Sequence, residues 1–440
     1  MSFNKKPGYF RLTFMRILIY SYNYYPEPIG IAPLMTELAE GLVKRGHQVR
    51  VVTAMPNYPE RQIYQEYRGK WYLNEYKNGV QIQRSYVWIR PQPNLLDRVL
   101  LDASFVVTSF VPALIGWRPD VILSTSPSLP SCVPVALLGW LRACPVILNL
   151  QDILPEAAVH VGLLKNKLLI KLFTVLEKFA YHTASKISVI ADGFVDNLRS
   201  KGVEADKIVQ IPNWVDVNFI RPLPKENNPF RAAHNLNDKF VVLYSGNIAL
   251  TQGLESVVKA ASMLRHIPNI VFVIVGEAKG LQRLQQECLD CGADNVLLLP
   301  FQPRKDLPQM LAAADVGLVV QKKNIVSFNM PSKIQVLLAS GGALVASVPD
   351  NGTAARAIKQ SGGGVIVPPE DPQALAMAIL DLYQNPEKVK TLGYKSRQYA
   401  IENYAFEQAL NQYESLCYSL TADRAAIQST RVTVSRAESP

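Results

Sequence analysis

The sequence predicts an α/β protein built from two domains of the Rossmann type. The chain has 440 residues, and a soluble domain usually takes about 100–200, so two domains are expected. Its hydrophobic content of 48% is enough to fill two cores. In both halves, short apolar runs alternate with glycine-containing loops and helical patterns, which is typical of βα units around a parallel sheet.

The first βα unit lies near the amino terminus. Met15–Tyr20 has the length of a buried strand, Leu34–Lys44 repeats leucine at helical spacing, and His47–Thr53 predicts a second strand. Gly30 lies in the loop after the first strand, where a backbone without a side chain can approach a ligand. An ordinary turn explains this glycine equally well. Two further buried strands are predicted at Asp120–Ser124 and Val146–Leu150.

Polar residues directly follow the last of these strands. Side chains at the end of a buried parallel strand lie where α/β sheets bind ligands. Asp152 is therefore the candidate catalytic residue of this half, with Gln151 beside it. A carboxylate that only caps the next segment is an equally good explanation, so both interpretations stay open.

Two apolar segments of this half raise the question of a membrane. Val99–Trp117 is long enough to span one, but Asp102 and Pro112 interrupt it, so a buried or interfacial helix is favoured. Leu163–Ala184 has apolar residues at helical spacing beside four lysines, Lys165, Lys167, Lys171 and Lys178. A solvated helix face and a surface that docks on anionic headgroups both explain these lysines.

The strand and helix pattern repeats after an aperiodic stretch at residues 213–235 that contains three prolines. We divide the chain into a first domain at 15–215, a linker at 216–235, a second domain at 236–400, a closing helix at 401–420 and a disordered tail at 421–440. Strands of the second domain are predicted at Phe240–Tyr244, Ile270–Val275, Val296–Leu299, Val316–Val320 and Ala343–Ser347, with a helix at Gly253–Leu264.

The segment Asn324–Gly342 carries the clearest ligand signal. Pro331 suits the first turn of a helix, and Gly341 or Gly342 can close that helix about ten residues later. The unpaired N–H groups of such a helix start suit a phosphate, although an ordinary amphipathic helix fits the same pattern. The hydroxyl and cationic side chains around the start are Lys322, Lys323, Ser332 and Lys333.

These motifs resemble those of family-four glycosyltransferases, in particular the colanic-acid and exopolysaccharide branch. The matching pieces are Pro-Ser-Lys followed by Leu-Ala-Ser-Gly, the segment SGNIALTQGLE, and Asp-x-x-Pro-Glu from Asp152. The resemblance runs from Met15 to about Leu420. It implies the GT-B fold, in which two Rossmann-like domains face each other across a cleft. It also implies transfer of a sugar from a nucleotide-sugar donor with retention of configuration.

The resemblance further implies a set of donor-binding residues. They are Gly30, Gly246, Asn247, Gln252, Phe301, Gln302, Arg304, Lys322, Ser332 and Lys333. The wider family has two glutamates where this chain has Phe328 and Val336, and a sugar-contacting histidine at or beside Gln151. It has an arginine and a lysine where this chain has Asn247 and Gln252. Other cations must then neutralise the diphosphate, and the available ones are Arg304, Lys322, Lys323 and Lys333.

The net charge and composition of the chain limit the classes of ligand that it is expected to bind. The net charge of +10 favours an anionic partner, which can be a nucleotide phosphate, a membrane surface or a nucleic acid. Basic and aromatic residues are spread out without a reader motif, so no nucleic-acid partner is expected. Five cysteines fit a reducing compartment, and the lone pair Cys288 and Cys291 lacks the further ligands that zinc needs. We therefore expect neither a metal nor another cofactor.

The expected acceptor is a saccharide, lipid-linked at the inner face of a bacterial membrane. This expectation depends on the resemblance and on the basic surface. The apolar run Met15–Tyr20 is too short for a signal peptide, and the residues before it are predicted to be a disordered lead, so we expect a cytoplasmic, peripherally bound enzyme. Two other functions stay open: a UDP-sugar epimerase on the same two-domain plan, and a non-catalytic two-lobed binding protein.

Overall fold

The computed structural model describes residues 14–437, except residues 29, 127, 161, 163, 249–251, 326 and 327. The chain divides into two units. The first comprises Met1–Ser188, Glu204–Val209 and Gln412–Pro440, and the second comprises Val189–Val203 and Gln210–Asn411. The disordered lead that the sequence predicts before Met15 lies outside the described residues, apart from Phe14.

One sheet organises the amino-terminal half. Its strands are β1 Arg16–Tyr20, β2 Gln48–Ala54, β3 Tyr72–Lys77, β4 Val80–Ser85, β5 Val121–Thr125, β6 Val146–Leu150, β7 Lys186–Val189 and β8 Ile208–Gln210. Their order in the sheet is β3-β4-β2-β1-β5-β6-β7-β8. Only β3 and β4 are paired antiparallel among the described pairs, whereas β1 pairs in parallel with both β2 and β5. The strand order therefore reverses between β1 and β5.

The helices of this half are α1 Ile31–Lys44, α2 Leu95–Leu114, α3 Cys132–Leu141, α4 Glu156–His160, α5 Lys167–Thr183 and α6 Asp192–Ser200. Asparagines fix the starts of two of them. The Asn94 side chain accepts a hydrogen bond from the Asp97 N–H at 2.8 Å, and the Asp97 carboxylate accepts one from the Asn94 N–H at 3.2 Å. Asn166 likewise accepts from the N–H of Leu168 at 2.9 Å. Among the described helices, none is both long and apolar enough to cross a membrane.

The second unit has its own sheet. Its strands are β9 Phe240–Ser245, β10 Ile270–Gly276, β11 Val296–Pro300, β12 Val316–Val320, β13 Ala343–Ser347 and β14 Gly364–Val367. They pair in parallel in the order β11-β10-β9-β12-β13-β14. Counted within the unit this is 3-2-1-4-5-6, the Rossmann order, with the switch point between β9 and β12.

The carboxyl-terminal half of the chain has its own set of helices. They are α7 Pro229–Ala233, α8 Glu255–Met263, α9 Ala278–Cys291, α10 Leu307–Ala312, α11 Lys333–Ala339, α12 Thr353–Ser361, α13 Pro372–Gln384, α14 Pro386–Asn403 and α15 Phe406–Ala437. Consecutive residues of β9 enter different cores: Val241 and Leu243 pack into one, and Val242 and Tyr244 into the other. Burial on both faces explains why the strand is a continuous apolar run.

The last helix is longer than the sequence predicts. α15 continues to Ala437, so the segment predicted to be disordered from residue 421 is helical as far as it is described, and residues 438–440 lie outside that part. Residues 421–437 contain four alanines and three arginines and neither glycine nor proline, so helix propensity favours continuation. From Gln412 the helix belongs to the first unit, where Glu414 pairs with Arg45 at 2.6 Å and His47 at 2.9 Å.

Candidate functional site

The predicted donor residues of the second unit follow the carboxyl ends of its strands. Parallel strands bind ligands at this edge, next to the switch point. In chain order, Gly246, Asn247 and Gln252 follow β9, Phe301, Gln302 and Arg304 follow β11, and Lys322, Ser332 and Lys333 follow β12. Strands β9 and β12 are the two neighbours between which the strand order reverses.

Lys333 is the first residue of α11, and its ammonium group is buried. The Nζ atom has no hydrogen-bond partner among the described residues and lies 3.5 Å from the centre of the Tyr244 ring. A Cβ added to Gly246 would lie 3.0 Å from this Nζ, so the ammonium also lies against the Gly246 backbone. Burial lowers the Lys333 pKa from 10.5 to about 7, because the low-polarity surroundings disfavour the charged form.

This burial corrects one part of the sequence interpretation. The sequence interpretation groups Lys333 with the cations around the helix start, but its side chain reaches Tyr244 on β9 instead of extending into solvent. The helix also begins two residues after Pro331 and has seven residues, and its N-cap residue Ser332 makes no side-chain capping bond. The buried ammonium is therefore a stronger anion-binding feature than the helix start. Gly341 has φ +72°, which confirms the predicted glycine closure.

The loop after β9 is held in place around this ammonium. Gly246, at φ +144°, donates its N–H to the Val275 carbonyl at 3.0 Å. The Tyr244 hydroxyl donates to the Asn247 carbonyl at 2.7 Å, and the Glu277 carboxylate accepts from the Ile248 N–H at 2.8 Å. Residues 249–251 of the SGNIALTQGLE motif lie outside the described part of the chain.

Gln252, like Lys333, has a buried polar atom without a hydrogen-bond partner among the described residues. Its Oε1 is buried and has no hydrogen-bond donor among the described residues. A buried amide oxygen without a donor is unfavourable unless a ligand or water supplies one. Two of the predicted donor residues thus carry buried polar atoms that the described part of the protein leaves unpartnered.

The other predicted donor residues are more exposed. Lys322 packs its Cγ close to Gly253, 3.2 Å from where a Cβ would lie. Arg304 is exposed, with its guanidinium 5.9 Å from the Phe219 ring. Phe301 is exposed as well, and Gln302 donates from Nε2 to the Pro300 carbonyl at 2.8 Å. Of the four candidate cations, Lys333 is therefore the one whose charge is buried without a hydrogen-bond partner among the described residues.

Arg397 holds the opposite end of α11, and the sequence interpretation missed it. Its Nη1 donates to the carbonyls of Ala339 at 2.7 Å and Ile220 at 2.9 Å, and its Nη2 donates to that of Val217 at 2.8 Å. Ala339 is the last residue of α11, so these bonds fix the helix that carries Lys333. A single arginine on an amphipathic helix gives no signal of this role in the sequence.

The candidate residues of the first unit follow β1 and β6, which β5 separates in the sheet. Gly30 precedes α1 with φ +72°, a conformation that favours glycine. Gln151 donates from Nε2 to Asn149 Oδ1 at 2.8 Å. Asp152 is exposed, yet the surrounding protein desolvates its carboxyl group enough to raise the pKa above its ordinary value. Its candidacy as the catalytic residue stays a prediction.

Glu27 is a second residue that the sequence interpretation missed. It is 4% exposed, and its Oε1 accepts from the N–H groups of Asn57 at 2.8 Å and Tyr58 at 2.9 Å. Its Oε2 accepts from Asn23 Nδ2 at 2.7 Å. Burial is the largest influence on its pKa, which lies above the ordinary value. The carboxylate therefore joins the loops that follow β1 and β2.

Comparison with known proteins identifies the family. Residues 30–214 match the family described as glycosyl transferase 4-like domain, and residues 226–399 match the one described as glycosyl transferases group 1. The chain is 33% identical over 407 residues to WcaI of Escherichia coli K12, a glycosyl transferase assigned to colanic acid biosynthesis. This match covers 91% of the chain and 98% of WcaI. The chain belongs to this glycosyltransferase family.

Other relatives and solved structures agree. The glycosyltransferase is 26% identical over 311 residues to WbjE of Pseudomonas aeruginosa, which covers 70% of the chain and 76% of WbjE. Its structure resembles Anabaena HepE, solved in complex with UDP, with a TM-score of 0.68 at 18% identity over 92% of this chain and 100% of HepE. Sucrose-phosphate synthase from Thermosynechococcus elongatus gives 0.70 at 19% identity, over 93% and 100% of the two chains. The predicted family, GT-B fold class and enzyme class are thereby confirmed.

Proposed function

We propose that this glycosyltransferase takes its sugar from a nucleoside diphosphate sugar and that Lys333 binds the diphosphate. The observation that carries the proposal is the buried, unpartnered ammonium of Lys333 at the switch point of the second sheet. A buried charge without a counterion is unfavourable, and an anionic diphosphate would supply the missing partner. HepE, which has the same fold, binds UDP and UDP-glucose, and this supports the proposal.

The chemistry of the step needs positive charge where the diphosphate departs. As the bond between the sugar and the diphosphate breaks, negative charge grows on the leaving oxygen, and a fixed cation stabilises that state. Each charge-assisted hydrogen bond contributes about 1.5–3 kcal/mol. Within the described residues, no three His, Cys, Asp or Glu side chains gather where a metal ion could bind. We propose that protein cations neutralise this charge, and the expectation of no metal or other cofactor stays a prediction.

In this proposal the first unit handles the acceptor. Asp152 and Gln151 follow β6, and Asp152 has a carboxyl group whose raised pKa favours holding a proton. We assign Asp152 to the transfer step beside the acceptor hydroxyl and Gln151 to the transferred sugar. Transfer with retention of configuration is part of the same proposal and follows the family resemblance.

The donor assignment is tested by calorimetric titration with UDP and GDP. Lys333→Met should weaken the binding of whichever nucleotide binds the parent by at least tenfold, because the buried cation is lost. Lys305→Met is the matched control, since Lys305 is an exposed lysine outside the predicted donor set. Equal affinities for the parent and Lys333→Met would contradict the proposal.

We also propose that the acceptor is a lipid-linked saccharide and that the enzyme docks on an anionic membrane at the cytoplasmic face. Two helices of the first unit expose apolar stripes at helical spacing, which a soluble surface rarely does. The stripe on α2 is Leu96, Leu100, Val107 and Val111, and the stripe on α5 is Leu168, Leu172, Val175 and Phe179. Exposed lysines accompany the second stripe at Lys165, Lys167, Lys171 and Lys178. Apolar residues beside lysines suit the headgroup region of a membrane.

Co-sedimentation with vesicles across a salt series tests the docking. Anionic vesicles should bind the enzyme and release it as salt rises, because each lysine near the surface contributes about 1 kcal/mol within a Debye length of ~10 Å at 0.1 M salt. Replacing Lys167, Lys171 and Lys178 by glutamine should abolish the difference between anionic and neutral vesicles. Absence of binding to either vesicle would make the lysines a plain solvated face.

A further inference from the structure

An apolar pocket of about 460 Å³ lies within the first unit between α2 and α5. Val99 and Val106 from α2, Leu172 and Leu176 from α5, and Ala158 from α4 are among its lining residues. Two of the lining residues, Arg98 and Asp102, are charged. The pocket is thus a largely hydrocarbon-lined space inside the unit to which we assign the acceptor.

The pocket opens beside exposed apolar residues of the two helices. Val99 and Leu172 both line the pocket and are exposed, at 44% and 51%. Leu172 also belongs to the stripe on α5, whereas the residues of α2 that line the pocket lie on a different face from the stripe of that helix. Empty apolar space forfeits the contacts that would fill it, so an apolar occupant is favoured.

The two charged residues that line the pocket are compatible with an apolar interior. The Asp102 carboxylate accepts a hydrogen bond from Ser128 Oγ at 3.1 Å, so it has a partner of its own. Burial raises the Asp102 pKa to about 6, which reflects surroundings of low polarity. Arg98 is exposed at the other charged position, where its guanidinium can reach an anion outside the pocket.

Size and charge point to one occupant. The volume of 460 Å³ is many times the ~30 Å³ that one water molecule takes in the liquid, so the pocket holds an alkyl chain of several carbon atoms. A pocket of this volume admits a single hydrocarbon chain but not a protein helix, whose diameter is about 10–12 Å. The exposed Arg98 at the pocket complements a phosphate at the end of such a chain.

We propose that this pocket binds the hydrocarbon chain of the phosphate-linked lipid that carries the acceptor saccharide. The inference rests on the lipid-linked acceptor of the proposed function and adds the site that recognises its lipid. The chain enters past Val99 and Leu172, and Arg98 contacts the phosphate. The saccharide then lies outside the pocket, with its lipid anchor held by the first unit alone.

A chain-length series tests the site on the full-length enzyme. The probes are n-alkyl phosphates of 6 to 18 carbons, each titrated by calorimetry below its micelle concentration. Affinity should rise about fourfold per added methylene and level off within the series, at the chain length that fills the pocket. An affinity that rises without a plateau would indicate adsorption to the surface and overturn the proposal, as would the absence of binding.

A matched pair of variants locates the binding. Val106→Phe fills part of the pocket, whereas Ile115→Phe adds the same ring directly after α2 at a residue that is 60% exposed and neither lines the pocket nor belongs to a stripe. We expect Val106→Phe to weaken the binding of the 14-carbon phosphate at least tenfold and Ile115→Phe to leave it unchanged. Equal affinities in the two variants would overturn the proposal.

Two further measurements separate the possible failures. Nucleotide binding is titrated on the same samples: if it stays dependent on Lys333 while the alkyl phosphates fail, the pocket proposal alone is wrong. If nucleotide binding shows no such dependence, the donor proposal fails independently. A polyprenyl phosphate should displace a fluorescent 12-carbon phosphate at lower concentration than phosphatidylglycerol does. The reverse order would assign the pocket to bulk membrane lipid and overturn the acceptor assignment.

Discussion

The two units of this glycosyltransferase share a parallel-sheet plan but differ in the buried charge that follows their central strands. In the first unit the buried group is the Glu27 carboxylate, which accepts three hydrogen bonds from the loops around it. In the second unit it is the Lys333 ammonium, which lies over the Tyr244 ring and has no hydrogen-bond partner among the described residues. A buried charge with a full set of partners holds the fold together, whereas one without partners is available for a ligand.

The two units also differ in how their exposed apolar residues are arranged. The first unit exposes ordered apolar stripes on α2 and α5 beside a pocket, whereas exposed apolar residues of the second unit, such as Met263, Leu289 and Met377, come from different helices. Scattered apolar residues are normal on a soluble surface, but contiguous stripes mark an interaction site. This difference agrees with the proposal that the second unit binds the nucleotide and the first the lipid-linked acceptor.

The largest effect that we predict tests the structural side of this comparison. Glu27→Ala removes the acceptor of two backbone N–H groups and one amide, so the free energy of unfolding of the first unit should fall by about 3–5 kcal/mol. Scanning calorimetry measures the change, with the exposed Glu66→Ala in the same unit as control. A loss no larger than that of the control would show that Glu27 does not hold the loops.

The next prediction tests the division of labour between the units. Asp152→Asn should lower turnover by about 100-fold, within the range for loss of an acid or base group, and leave nucleotide affinity unchanged because Lys333 is intact. Nucleoside diphosphate release from a panel of nucleotide sugars measures turnover, and calorimetry measures affinity. Unchanged turnover would reduce Asp152 to a structural cap.

Lys333→Met should have the opposite effect on stability from Glu27→Ala. Replacing a buried, unpartnered cation by an apolar side chain of similar length should raise the free energy of unfolding by about 1–4 kcal/mol. Nucleotide binding weakens in the same variant, so stability and binding move in opposite directions. A destabilised Lys333→Met protein would mean that the ammonium has a partner and is not kept free for a ligand.

The smallest predicted effect is the dependence of nucleotide affinity on pH. The Lys333 pKa is about 7 in the free enzyme, and the ammonium form binds the anion, so nucleotide affinity should fall by up to tenfold per pH unit above 7. The cost of the buried charge to stability is fully present below pH 7 and declines as the pH rises toward 10.5, the unperturbed pKa. Calorimetric titrations between pH 6 and 9 in the parent and in Lys333→Met check the predicted fall in nucleotide affinity. The same slope of affinity against pH in both proteins would exclude Lys333 as its cause.

Much of the fold follows from local pattern. The predicted strands Val146–Leu150 and Val316–Val320 match β6 and β12 residue for residue, because a parallel strand buried on both faces must be a continuous apolar run. The hairpin of β3 and β4 was missed for the converse reason. Its sequences YLNEYK and VQIQRS are largely polar, and the hairpin lies at the edge of the sheet.

The amino-acid sequence by itself determined the family, the α/β class and the set of cations at the carboxyl edge of the second sheet, since these depend on motifs and on periodicity along the chain. Only the tertiary structure decided which of those cations is buried and unpartnered. The surroundings of Lys333 come from Tyr244 and Gly246, almost ninety residues earlier in the chain, and those of Glu27 from Asn57 and Tyr58 on another loop. Desolvation and hydrogen bonding depend on neighbours in space, and the pattern of residues along the chain does not specify those neighbours.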